Sequence, residues 1–417
     1  MATAATAPAI TPDSPRLPFR ANFVWTLCGN LFYGASQWCV VALIAKLGNP
    51  EMLGEFSLAA AIVTPVLMLS GLQLRVIQAT DIDGRFAFGD YLALRLLSTS
   101  FGVALIAAIA FGSGLRRQTA LVVAVFGLAR AFESISDVFY GRLQRCERMD
   151  RISISLMLRG ALSVLTVGCA VAATGSVLWA VSCVALAWVV TLILYDARNS
   201  DWGGLRDIRW TTLANLTKLA APLGLTMMLI SVNASMPRYF IERHLGEREL
   251  GIFAAIAYLP LAGTTIMRAL GEAATPKLSR HYANADASAM PTLLWKLIAI
   301  AATLAAAGVL IAVLAGRTIL GLLYRPEYAA AAGVLIWITA AEGIGFITSM
   351  LGYAATARRR LRYQPLALCA VIAVSAVAGY YLVPSHYLHG AAFMMVAASL
   401  TGFLAYGSLL LSGTSEV

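Results

Sequence analysis

Apolar residues arrive in this chain in long runs, each close to the ~20 residues that an α-helix needs to cross a bilayer's hydrocarbon core. Twelve such runs can be read, at about 22–45, 54–74, 90–112, 119–141, 152–173, 176–196, 213–240, 249–271, 292–315, 329–356, 365–383 and 388–411. Short loops between them hold most of the charge. Inside lipid no water satisfies the backbone, so an isolated run of this kind has to be helical. Hydrophobic residues make up 59% of the 417 and charged residues 12%; that charged share is about half that of a soluble domain. A soluble globule, a disordered chain, collagen and a coiled coil are excluded by the same balance. The expectation is an all-α polytopic membrane protein.

The net charge of +10 argues for nucleic acid in a soluble protein, but here its distribution explains it. Seventeen Lys and Arg fall in loops on the side of the N-terminus and seven on the other, the positive-inside bias that places both termini in the cytoplasm. Residues 1–21, rich in Ala, Thr and Pro, read as a disordered cytoplasmic N-terminus, and the first run is too long for a cleaved leader. Residues 22–200 read as an N-terminal six-helix bundle, 201–212 as a cytoplasmic linker and 213–417 as a C-terminal six-helix bundle. The linker carries Trp202 and Trp210, suited to the headgroup interface. Six cysteines without CxxC spacing, five of them in apolar runs, read as small buried hydrophobes.

The two halves echo each other. Leu47-Gly48, Gly54-x-Phe56 and Pro65 return as Leu245-Gly246, Gly251-x-Phe253 and Pro260, at offsets of 198, 197 and 195. Gly141 and Gly352 are each followed by four arginines. Copies of six spans share their orientation, which implies a pseudo-twofold axis along the membrane normal, the parallel-repeat plan of transporters, with a central cavity between the bundles. Pro65 and Pro260 each remove a backbone hydrogen bond and kink a helix, either as static bends or as paired hinges.

Seven basic residues remain within the runs: Arg95, Arg130, Arg159, Lys218, Arg238, Arg268 and Lys296. Glu133, Asp137 and Glu342 are the in-span acids singled out. A charge at mid-bilayer costs about 2.5–3.5 kcal/mol facing lipid, so these groups pair or face a wet cavity. Arg130, Glu133 and Asp137 are spaced i, i+3, i+7 and share one helix face. A self-neutralising structural pair is one reading. The other is a cavity-lining face where an anion meets Arg130 and a proton or cation meets the carboxylates. Arg95, Lys218 and Lys296 lie near helix ends, where long basic side chains snorkel; Arg159 and Arg268 lie deeper and could form a cationic vestibule. Asn233, Arg238 and Tyr239 surround Pro237, and Asn30 and Gln37 read as helix–helix glue.

No ATP-binding loop is present, and the four histidines have no metal spacing. Asp81-x-Asp83 beside Gly84 reads as a loop turn in preference to a metal-binding pair. No cofactor is expected.

The stretches AKLGNPEMLGEFSLAAAIVTPV (45–66), LQLRVIQATD (72–81), ARAFESISDVFYGRLQRCERMD (129–150), APLGLTMMLISVNASMPRYFIERHLG (221–246) and LGIFAAIAYLP (250–260) resemble the multidrug/oligosaccharidyl-lipid/polysaccharide exporter superfamily, and within it the Wzx-type polysaccharide flippases of bacteria. The resemblance runs from about Asn22 to the end. It implies two pseudo-symmetric six-helix bundles around a central cavity, a place in the bacterial inner membrane, and translocation of undecaprenyl-pyrophosphate-linked oligosaccharide by ion-coupled alternating access. It implies as partners the lipid-linked substrate, membrane lipids, a proton or sodium ion, and a polymerase and glycosyltransferases. Arg130, Arg238 and Arg268, with Arg159 and Asn233, are the expected substrate contacts; Glu133, Asp137 and Glu342 are the expected ion-coupling residues. No covalent step is required, so no enzyme is expected. A multidrug and toxin extrusion exporter shares the plan but would want a net acidic cavity. Lipid II flippases normally have fourteen spans, and a membrane-embedded sugar polymerase or ligase would carry a long outer loop that this chain lacks.

Overall fold

The computed structural model describes residues 17–411 except 82, 200–207, 284–288 and 359–363; Trp202 and most of the expected linker lie outside the described residues. In chain order the helices are α1 (Phe19–Leu47), α2 (Pro50–Gly71), α3 (Leu74–Thr80), α4 (Phe88–Gly112), α5 (Arg117–Arg145), α6 (Met149–Thr174), α7 (Val177–Thr191) with a π-helical turn Leu192–Asp196, α8 (Trp210–Leu245), α9 (Glu247–Ala257), α10 (Leu261–Ala283), α11 (Ala289–Leu323), α12 (Pro326–Ala329), α13 (Ala332–Ala357) and α14 (Gln364–Leu411). Among the described residues ten helices are long and apolar enough to cross a membrane, and large apolar side chains such as Phe101, Trp179 and Leu314 stand exposed on them. This is a multi-pass membrane protein.

Local chemistry explains the boundaries. The Asn49 Oδ1 accepts from the Met52 amide at 2.8 Å and Pro50 opens α2, a strong N-terminal signal. Gly175, with φ of 58°, closes α6. Leu72 and Gln73 both adopt left-handed conformations, which breaks the second run into α2 and the short α3.

By this measure the count is ten where twelve runs were expected. The expected eighth run is divided: α9 ends at Ala257 and α10 begins just after Pro260. Pro65, by contrast, is accommodated inside a continuous α2, so the two prolines are not equivalent bends. The expected eleventh and twelfth runs both lie in α14, whose backbone leaves the helix at Tyr387 (φ 53°, ψ −134°). Gly390 is jammed against the Leu382 carbonyl, a residue that a straight helix would hold about 12 Å away. The chain therefore reverses there, and 364–386 and 388–411 run back along one another.

The chain forms two compact units, Met1–Ser231 and Val232–Val417, so the division falls inside α8 and not at the linker. The first part of α8 explains this: Leu213, Leu216 and Ala220 are buried with Leu72, Leu74, Tyr91 and Leu92 of the N-terminal unit. Within that unit α1 lies closely along α6, because Gly29 faces Ser153 and Gly160 faces Ser36, and the Ser153 hydroxyl donates to the Trp25 carbonyl at 2.6 Å. In the C-terminal unit Met267, Leu278, Leu297, Phe346 and Met350 pack α10, α11 and α13 together. The six cysteines are free, but Cys28, Cys169 and Cys369 are exposed and not buried as expected; an apolar thiol is as well suited to lipid as to a core.

Candidate functional site

The polar chemistry of the N-terminal unit is built on α5. Arg130 pairs with Glu133 one turn along, each about a quarter exposed, and Glu133 also accepts the Tyr33 hydroxyl of α1 at 2.7 Å. The i, i+3 spacing read from the sequence therefore makes a real ion pair, open enough to be reached. Arg130 also stands 5.9 Å from the ring centre of Trp188 on α7, within cation–π range.

Asp137 faces elsewhere. It receives Arg75 of α3 at 3.4 Å and Arg95 of α4 at 3.3 Å, while Arg75 reaches Gln144 at 3.0 Å and Arg95 reaches Ser134 at 3.1 Å. Arg95, expected to snorkel, is 2% exposed. One helix face thus serves two clusters, because Asp137 lies about 6 Å beyond Glu133 along the helix axis, at a level where α3 and α4 supply the neighbours.

Arg159, expected in an open vestibule, is enclosed. Its guanidinium holds Asp196 at 2.9 Å with both side chains essentially without exposure, and it also donates to Ser136. Ser155 donates to Asp196 at 2.6 Å, and Tyr140 and Trp188 lie under the Arg159 charge at 5.7 Å each. The reason is the π-helical turn at the end of α7, which carries Asp196 into the bundle. Turns of this kind recur at functional positions.

In the C-terminal unit Glu342 of α13 accepts from Thr264 of α10 at 3.3 Å, one turn beyond the break at Pro260. Arg268 lies further along α10, 74% exposed and 3.5 Å from Glu272. Asn233 on α8 accepts from Ser375 of α14 at 3.2 Å. One turn on, the buried Arg238 Nε has no acceptor among the described residues. The described ion pairs of this unit go to Arg248 and Arg268 instead.

A family model described as polysaccharide biosynthesis protein matches residues 25–333. The chain belongs to that family. Among its relatives, the capsular polysaccharide biosynthesis protein CapF of Staphylococcus aureus is 23% identical over 397 residues, 92% of this chain and 97% of the relative. The fold of this polysaccharide biosynthesis protein is that of known transporters. A lipid II flippase MurJ in an inward closed conformation superposes with a TM-score of 0.72 at 12% identity, covering 94% of this chain and 87% of that one. An inward-facing multidrug resistance MATE family transporter of the MOP superfamily gives 0.63 at 16% identity, covering 97% and 98%.

Three members of these clusters escaped the sequence reading. Tyr33 is a hundred residues from Glu133, Arg75 falls among the loop arginines of the charge count, and Asp196 stands at the last position of the sixth apolar run, 176–196. Only Asp196 carried a signal, as an acid closing an apolar run and not lying clear of it.

Proposed function

We propose that this polysaccharide biosynthesis protein moves undecaprenyl-pyrophosphate-linked oligosaccharide from the inner to the outer leaflet of the bacterial inner membrane, with both termini in the cytoplasm. The physical task is to carry a hydrated, doubly negative headgroup through hydrocarbon, where desolvation is the barrier, while the lipid tail stays in the bilayer. No bond is made or broken. Arg238 carries this reading: an arginine within a membrane span whose buried Nε–H has no acceptor among the described residues is a donor in want of an anion. Guanidinium forks match phosphate oxygens bidentately and stay charged at any relevant pH.

Arg130 and the exposed Arg268 serve as further phosphate contacts, with Asn233 offering a neutral hydrogen bond to sugar or phosphate. Asp137 is held by two arginines and acts as a fixed counter-charge. Glu133 and Glu342 are left as the carboxylates that exchange a proton or sodium ion in an alternating-access cycle. Partners in this reading are the glycosyltransferases that build the substrate and the polymerase that consumes it.

Likeness in fold to multidrug transporters supports a second reading, export of small organic molecules. Deletion of the gene separates the two. Flipping predicts a lipid-linked oligosaccharide that accumulates facing the cytoplasm; drug export predicts raised sensitivity to organic cations with polymer intact.

A further inference from the structure

The Arg130–Glu133 pair is built so that it can be opened. Among the described residues Glu133 meets the Arg130 guanidinium and the Tyr33 hydroxyl at 2.7 Å. Arg130 meets Glu133 and the ring of Trp188 at 5.9 Å. Each charge therefore keeps a neutral partner on another helix when the other charge is drawn away. Asp137, by contrast, is held by two arginines.

Both neutral partners are fixed in place. Trp188 is 2% exposed, and its Nε1 donates to the Ser163 hydroxyl at 2.8 Å. Tyr33 stands on a stretch of α1 that packs closely on α6: Phe32 and Ser36 lie against Gly160, where a Cβ would come within 2.6 Å of the Ser36 hydroxyl oxygen. The phenol oxygen is thus presented to Glu133 by a packed helix and not by a loop. A hydroxyl donated to a carboxylate satisfies part of its charge in a strong, short hydrogen bond. What Tyr33 satisfies, Arg130 does not have to.

We propose that Tyr33 is a positioning residue for anion binding at Arg130: by holding Glu133 it weakens the grip of that carboxylate on the guanidinium, so that a phosphate group can displace it. Trp188 keeps Arg130 in place during the exchange. The anion is of the phosphate class because a guanidinium fork matches two of its oxygens at once. This rests on the assignment of Arg130 as a substrate contact under the flipping reading, but binding alone tests it.

The test is protection of Arg130 from phenylglyoxal by inorganic pyrophosphate, read by peptide mass spectrometry on the purified full-length protein. The pH is mildly alkaline, above the ordinary carboxylate range. Pyrophosphate should protect the wild-type residue with a saturable midpoint. Tyr33→Phe removes one oxygen and leaves the ring to its packing, and should raise that midpoint about tenfold, ~1.4 kcal/mol. In a Glu133→Gln background no competing carboxylate remains, and Tyr33→Phe should then change the midpoint by less than about twofold. A hydroxyl that serves only packing shifts both backgrounds alike or shifts neither, and either result overturns the proposal. So does a wild-type Arg130 that pyrophosphate leaves unprotected. Vesicle transport separates this from the flipping reading. The expected shift without any oligosaccharide crossing leaves the role of Tyr33 standing and ends the flipping reading; crossing with coincident midpoints does the reverse.

Discussion

Arg95 on α4 and Asp137 on α5 meet at 3.3 Å, with the arginine 2% exposed and the aspartate 33%. A basic residue that its distance from the helix end would send to the lipid headgroups is instead a fixed part of the N-terminal unit. Removing the carboxylate leaves that guanidinium enclosed beside a second arginine. Breaking a buried pair from one side costs about 3–5 kcal/mol, and the exposure of Asp137 sets the expectation at the lower end. Asp137→Ala should therefore lower the unfolding midpoint of the detergent-purified protein markedly. An unchanged midpoint would mean that the pair contributes nothing to the fold.

Arg238 separates charge from geometry. Arg238→Ala should reach the membrane in normal amount and lose polymer export at least tenfold, about 1.4 kcal/mol or more of substrate interaction. Arg238→Lys keeps the charge but not the fork, and should recover only part of the export. Wild-type export from Arg238→Ala, measured by surface polysaccharide, removes it from the substrate path.

The reversal at Tyr387 depends on Gly390. A methyl group there would strike the Leu382 carbonyl, a backbone atom that cannot swing aside. Gly390→Ala should therefore destabilise the hairpin by the overpacking cost of about 1–3 kcal/mol or more, seen as loss of monodisperse protein on size exclusion. Gly407→Ala, where nothing lies within reach of the new methyl, should leave the protein unchanged.

Asp81 fixes the turn after α3. Burial works against its charge, but the amides of Arg85 at 3.0 Å and Phe86 at 3.2 Å and the Tyr91 hydroxyl at 3.1 Å outweigh it, and Arg145 adds attraction; its carboxyl sits below the ordinary value. A folded-state value below the unfolded one gives stability that is fully present above the unfolded value, ~3.9, and is lost as pH falls through the folded value. Thermal melts should place Asp81→Asn below wild type at neutral pH, with the two curves converging in acid. A constant gap across that range would contradict the assignment.

Much of this is legible in the amino-acid sequence. The Arg130–Glu133 pair follows from helical spacing, and Asp81 reads as a turn because Gly84 stands beside it, with φ of 66°. The partners of those groups were not legible, since Tyr33 and Arg75 reach α5 only through packing between distant segments. Helix ends were also hidden: the left-handed Leu72 and Gln73, and the reversal at Tyr387, come from tertiary contacts that override apolar periodicity. The burial of Asp196 was not legible either, since it lies in a π-helical turn, and a turn of that kind inside an apolar run has no signature in the periodicity.

Transport by the purified chain tests the account most directly. The wild-type protein and Arg238→Ala would each be reconstituted in vesicles containing undecaprenyl-pyrophosphate-linked oligosaccharide, and a glycosidase added outside would report which molecules have crossed. The account predicts that wild-type vesicles expose the inner-leaflet pool far faster than protein-free vesicles, that an imposed proton or sodium gradient changes this rate, and that Arg238→Ala stays near the protein-free rate. Exposure in wild-type vesicles no faster than in protein-free ones would contradict it.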